Sequence, residues 1–267
     1  MMKKLLAPLF LLLALQVNAQ EIFVDTTKKD LADTIKKDLF TAPDTVPKYR
    51  SKVLAFVPPA ILIGYGAASF YAKPLRQLDY YVQTRVRDSK PTFRTVVDSY
   101  IQFSPVAAVY VLNLAGVTGK NRFLDRTILL GISSGIMAGS IRVVKNATHR
   151  LRPNGENMVS FPSGHTATAF MGAEFLAQEF SGKSVWYGVA GYTIAAGTGV
   201  FRMYNRNHWF SDTVAGAGFG ILSVKAAYFV YPYMRDFLTA KGKDGKSAML
   251  MPTYQDGRVG FNFAMQL

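Results

Sequence analysis

The 267-residue chain contains no cysteine. Disulfide staples and thiolate metal sites are excluded, and cysteine usage says nothing about redox compartment. Histidine is scarce: His149, His165 and His208 are too far apart in sequence to form an obvious metal cage. Acidic residues are also few, 17 against 31 Lys and Arg, leaving a formal net charge of +14. Such a balance points to phosphates, nucleic acid or an anionic membrane surface. The basic residues are scattered and no nucleic-acid motif is present, so nucleic acid is not expected as a partner. Internal repeats and low-complexity tracts are missing as well.

What the chain does have is apolar length. It is 49% hydrophobic and 18% charged, ample for a packed core. Residues 1–19 read as a secretory signal. Lys3 and Lys4 form the charged start, Leu5 to Leu15 the apolar stretch, and Val17-Asn18-Ala19 a small-x-small exit. Residues 20–52 include an amphipathic stretch, 26–40, with Leu31, Ile35 and Leu39 one helical turn apart. Six apolar, helical segments follow, at about 53–72, 101–117, 127–141, 165–180, 185–201 and 209–233. Gly131, Gly135 and Gly139 recur every four residues in the third, as do Asp212, Gly216 and Gly220 in the sixth; both rows read as close helix packing. A polar linker (Lys241 to Lys246) leads to two alternating stretches around Asp256-Gly257, a hairpin signal. The expected fold is all-α: a six-helix bundle over 53–240, membrane-embedded or soluble, with a linker and small C-terminal β-hairpin in 241–267.

Three polar clusters interrupt the apolar segments. Lys145 and Arg152 are seven apart, two turns on one face if helical, and a lysine plus a forked guanidinium suits phosphate oxygens. Solvated helix-end charges are the bland alternative. Pro162-Ser163-Gly164-His165 opens a helical run, where free N–H groups point at anions and Ser163 is either a phosphate donor or a plain N-cap. In the third cluster His208 and Asp212 are i and i+4, so a carboxylate there would hold the ring and free its other nitrogen as a nucleophile. Arg202 adds a second guanidinium.

Together, K-x6-R-P, P-S-G-H and R-x5-H-x3-D resemble the tripartite signature of the type 2 phosphatidic acid phosphatase superfamily, which includes vanadium haloperoxidases and bacterial class A acid phosphatases. Lys145, Arg152 and Pro153 match the first part, Pro162 to His165 the second, and Arg202, His208 and Asp212 the third. Two departures stand out. Phe201 replaces the serine usual before the third arginine, and the Pro153 to Pro162 gap is short. The resemblance implies a phosphatase without metal or other cofactor. His208 would form a phosphohistidine, Asp212 would orient it, and His165 would serve as acid and then base. Lys145, Arg152, Ser163, Gly164 and Arg202 would bind the phosphate. His149, inside the first motif, is either a wall residue or solvated.

The expected substrate is a phosphate monoester or pyrophosphate of a lipid, handled at the bacterial cell envelope with the membrane as partner and the site on the periplasmic side. Alternatives are a soluble periplasmic acid phosphatase, a haloperoxidase using vanadate, and a non-enzymatic envelope binding protein. Topology stays open. An N-terminus outside the cytoplasm followed by six spans puts the first two motifs inside. The third apolar segment, about 15 residues, also looks short for a span, and the fourth carries Glu174, Gln178 and Glu179.

Overall fold

The computed structural model describes residues 53–238 and two strands, Ala248–Gln255 and Arg258–Met265. The signal, the amphipathic stretch 26–40, the linker and Asp256-Gly257 lie outside the described residues. Eight α-helices are present among the described residues, two more than the apolar segments lead one to expect.

Both additions have local causes. Helix α1, Val57–Ala68, starts with Pro58 and Pro59 in its first turn, where a missing N–H costs no hydrogen bond. After it the chain bends by 88° into α2, Lys73–Ser89. Helix α2 is polar overall, so a search for apolar runs passes over it. The second apolar segment is broken in two. Helix α3 is Val97–Ile101, and α4, Ser104–Leu114, restarts with Pro105 in its first turn. Helix α5, Phe123–Thr148, is 26 residues long, much longer than its apolar centre. Helices α6 (Gly164–Phe180), α7 (Val185–Tyr204) and α8 (Phe210–Leu238) follow. The two strands pair antiparallel, Ala248 opposite Met265 and Gln255 opposite Arg258.

Helix α6 is the central post, packed by α4, α5, α7 and α8. Val109, Leu129, Met171, Phe175, Phe180 and Val224 form its core contacts. Helix α8 comes close because of two glycines. A Cβ on Gly220 would sit 2.3 Å from the Ala167 carbonyl oxygen, and one on Gly216 would sit 2.5 Å from that of Ser163. The α5 row behaves otherwise: Gly131, Gly135 and Gly139 have nothing within 4 Å of a Cβ, so they serve no packing among the described residues.

Among the described residues, two helices are long and apolar enough to cross a membrane, Phe123–Thr148 and Phe210–Arg235; the bent α1–α2 pair makes three if it counts as one span. The third apolar segment is therefore not too short, because α5 extends past it at both ends. Helix α7 is not among the candidates. The acids of α6 are buried but partnered. Glu174 accepts from Lys225 Nζ at 2.8 Å and from Gln178 and Tyr192. Glu179 accepts from Arg126 Nε at 3.1 Å, from Asn121 and from Tyr228. Pairing offsets much of the penalty a lone buried carboxylate would carry.

Candidate active site

The three polar clusters meet at one end of the bundle because each sits where a helix stops or starts. Helix α5 carries Lys145 in its last turn and ends at His149, whose left-handed conformation (φ 44°) turns the chain out. The loop folds back: Ser160 N–H donates to Arg150 O at 2.9 Å, and Lys145 Nζ donates to Val159 O at 2.6 Å. Ser163 then caps α6, taking Thr166 N–H on its Oγ, which also lies 2.8 Å from Thr166 Oγ1. The cap reading of Ser163 is thus realised: its hydroxyl is buried and engaged. The N–H groups of the first turn, Gly164 and His165 among them, face the helix entrance. Arg202 lies in the last turn of α7. Arg206, also left-handed (φ 57°), carries the chain to His208 just before α8 begins.

The field at this end is strongly positive. Arg202 is buried, its Nη1 bonds Asp98 Oδ2 at 2.6 Å, and its Nε has no partner. Arg152 has no ion pair among the described residues, and its Nε is buried and unpartnered. Burial, and next the Arg202 charge, lower its pKa. His165 is pushed down to about 4, first by burial, then by Arg202; Asp98 opposes, while Arg152 and Lys145 add to the fall. Like charges held together around polar atoms with no partner describe a site shaped for an anion.

His208 is buried, with Nδ1 2.7 Å from the Ser160 carbonyl oxygen. A carbonyl only accepts, so Nδ1 carries the hydrogen and the neutral ring keeps its lone pair on Nε2. Burial lowers this ring too, to about 4, with Asp212 opposing. The expected His208–Asp212 hydrogen bond is not made. Nδ1 to Oδ2 is 3.8 Å, too long, because His208 precedes α8 and the two do not share a helix face. Asp212 instead closes the start of α8, as the third residue of that helix does in a capping box: its Oδ2 accepts from Trp209 N–H at 2.9 Å and from Ser160 Oγ. It reaches His208 as a nearby charge, through Ser160.

A groove of about 480 Å³ opens beside the cluster. Lys145, Gly164 and His165 line its polar end, and Met137, Ala138 and Ile141 line its α5 wall.

The PAP2 superfamily model matches residues 126–236, which include every motif residue. A lipid A 1-phosphatase of Porphyromonas gingivalis is 35% identical over 158 residues, 57% of this chain. The match covers about a third of that relative's length, 36%. Among solved structures, a transmembrane PAP2 type phosphatidylglycerolphosphate phosphatase from Bacillus subtilis superposes with a TM-score of 0.45 at 22% identity, covering 69% of this chain and 95% of that one. Aquifex aeolicus LpxE gives 0.38 at 18%, covering 68% and 98%.

Four residues of this site escaped the sequence reading. Arg150 holds two carboxylates: Nη1 donates to Asp212 Oδ1 at 2.7 Å, and Nη2 to Asp79 Oδ2 at 2.6 Å. Asp79, from α2, also takes Ser211 N–H at 2.8 Å. Asp98, from α3, holds Arg202, and Ser160 links Asp212 to His208. Only Arg150 carried a signal, its place inside the first motif. Phe201, at the usual serine position, stacks on Phe93 with ring centroids 6.3 Å apart. That stack and the Asn205 bonds to Thr95, 2.9 and 2.8 Å, hold residues 90–96 against α7 and so place Asp98. His149 is exposed and serves as the turn out of α5.

Proposed function

We propose that this chain is a metal-free phosphatase acting on phosphate monoesters or pyrophosphates of lipids, through a phosphohistidine on His208. One observation carries the reading. Lys145, Arg152 and Arg202 crowd together around two histidines, and one of these has its Nδ1 tied to a backbone carbonyl and its Nε2 left with a lone pair. The cations and the α6 N-terminus would hold the phosphoryl oxygens, stabilising charge as it develops.

His208 Nε2 attacks phosphorus; the N–P bond forms as the bond to the leaving oxygen breaks. His165 gives that oxygen its proton. In the second half His165 takes a proton from water, whose oxygen attacks phosphorus as the N–P bond breaks, returning the electron pair to His208 Nε2 and releasing phosphate. His165 must be protonated for the first half, yet burial, and next the site's own cations, hold it near 4. A bound phosphate dianion offsets those cations, so substrate brings the acid into its working form. Asp212 stabilises the His208 ring once it becomes positive. Ser163 contributes through the helix start it caps.

Two apolar helices of spanning length and the lipid A 1-phosphatase relative support a lipid substrate at a membrane. Export to the bacterial envelope rests on residues 1–19, and the periplasmic side of the site on the family resemblance. The test is phosphate release by purified protein from a panel of lipid phosphates, with chelator present and His208→Ala as control. Release is expected from at least one lipid, unaffected by chelator and lost in the variant. Release by His208→Ala at the wild-type rate would overturn the reading.

A further inference from the structure

The groove beside the site contains a cation that nothing in the mechanism uses. Arg142 lies on α5 one turn before Lys145 and lines the same groove as Lys145 and His165. The backbone positions of Arg142 and Lys145 are about 4.5 Å apart along the helix axis. Among the described residues, the Arg142 guanidinium makes no hydrogen bond and no ion pair. Its neighbours Met137, Ala138, Ile141 and Val159 offer no carboxylate to neutralise it.

The groove also lies on one side of the proposed reaction. It is lined by His165, the proposed acid, and by Gly164 and Lys145. His208, Arg152 and Arg202 do not line it. A nucleophile and a leaving group occupy opposite sides of the phosphorus in an in-line displacement. The groove is therefore the room for the leaving group, and Arg142 stands in that room.

Resting on the phosphatase reading, we propose that Arg142 is a specificity residue that pairs with a second phosphate on the leaving-group side of the scissile bond, so that the groove selects diphosphates over monophosphates. The chemistry is consistent with this. Cleaving a P–O–P bond expels a phosphate oxygen, a far weaker base than an alkoxide. The positive charge of Arg142 would stabilise it as the bond breaks, which lessens the demand on the proton of His165. A guanidinium fits two phosphate oxygens at once, whereas an ammonium is a single point of charge.

The experiment compares farnesyl diphosphate with farnesyl monophosphate, which share one chain and differ only in the second phosphate. Wild type, Arg142→Gln and Arg142→Lys are assayed in detergent. In Arg142→Gln the diphosphate-to-monophosphate ratio of kcat/KM is expected to fall about 10- to 100-fold, the loss of one charge-assisted pair. Arg142→Lys should recover only part of the ratio. A second arm measures binding of inorganic pyrophosphate and orthophosphate to His208→Ala protein, with and without Arg142→Gln. Only pyrophosphate affinity should drop. An unchanged ratio together with unchanged pyrophosphate binding overturns the Arg142 assignment, as does a wild type that prefers the monophosphate. Absence of turnover on both substrates would count against the phosphatase reading, while the binding arm would still decide the role of Arg142.

Discussion

Replacing Arg150 tests whether the site is held by a charge chain that reaches from α2 to α8. In the fold its guanidinium is largely buried between Asp79 and Asp212, both fully buried, at 2.6 and 2.7 Å, and it also donates to Ser211 Oγ at 2.8 Å. Arg150→Gln leaves two carboxylates without their cation. Breaking a buried pair by removing one partner costs about 3–5 kcal/mol. The loss should not double, since Asp79 keeps the Ser211 N–H and Asp212 keeps Ser160 and the Trp209 N–H. At this chain size each kcal/mol moves Tm by about 2–4 °C, so a fall of roughly 6–20 °C is expected. Thermal unfolding in detergent reads it, and turnover should fall as well because Arg150 no longer anchors Asp212 and, through Ser160, His208. Adding Asp79→Asn should restore part of the stability, since one orphaned charge is then gone. An Arg150→Gln protein that melts within about 2 °C of wild type would refute the reasoning, since it would mean the three charges are not coupled.

Two further outcomes follow from the same geometry. His208 is neutral and buried with its pKa held near 4 against an ordinary 6.5. The unfolded chain therefore binds the proton first, so this contribution is complete above about pH 6.5 and is lost as pH falls toward 4. It amounts to roughly 3 kcal/mol, and should be absent from the pH dependence of His208→Gln unfolding. Among the glycines, Gly216→Ala and Gly220→Ala should each destabilise by about 1–3 kcal/mol or more, because a Cβ meets backbone of α6. Gly135→Ala, with open space around it, should instead be neutral or stabilising by about 0.5–1 kcal/mol; thermal unfolding of the three variants separates the two rows.

The sequence showed the site more clearly than the fold. Lys145, Arg152, His165, Arg202 and His208 lie in short motifs at helix ends, and helix ends gather at one face of a bundle, so spacing along the chain carried over into space. The supports were hidden because their partners are remote: Asp79 meets Arg150 across 71 residues, and Asp98 meets Arg202 across 104. No periodicity links such pairs. Helix α2 was missed because it is polar, and the break between α3 and α4 because Pro105 lies inside an apolar run. The His208–Asp212 spacing misled for a related reason. Four residues imply a shared face only inside a helix, and α8 starts two residues after His208. What settled the ring was Ser160, whose carbonyl no motif marks.

If His208 is the nucleophile, rapid quenching during turnover will trap it covalently phosphorylated. Protein quenched in alkali after mixing with a lipid phosphate, then digested and read by mass spectrometry, should carry a phosphoryl group on the peptide containing His208. The adduct should be stable to base and labile to acid, and should form and decay more slowly in His165→Ala, which lacks the acid of the first half and the base of the second. Full turnover with no phosphoryl group on His208 in either protein would contradict the account.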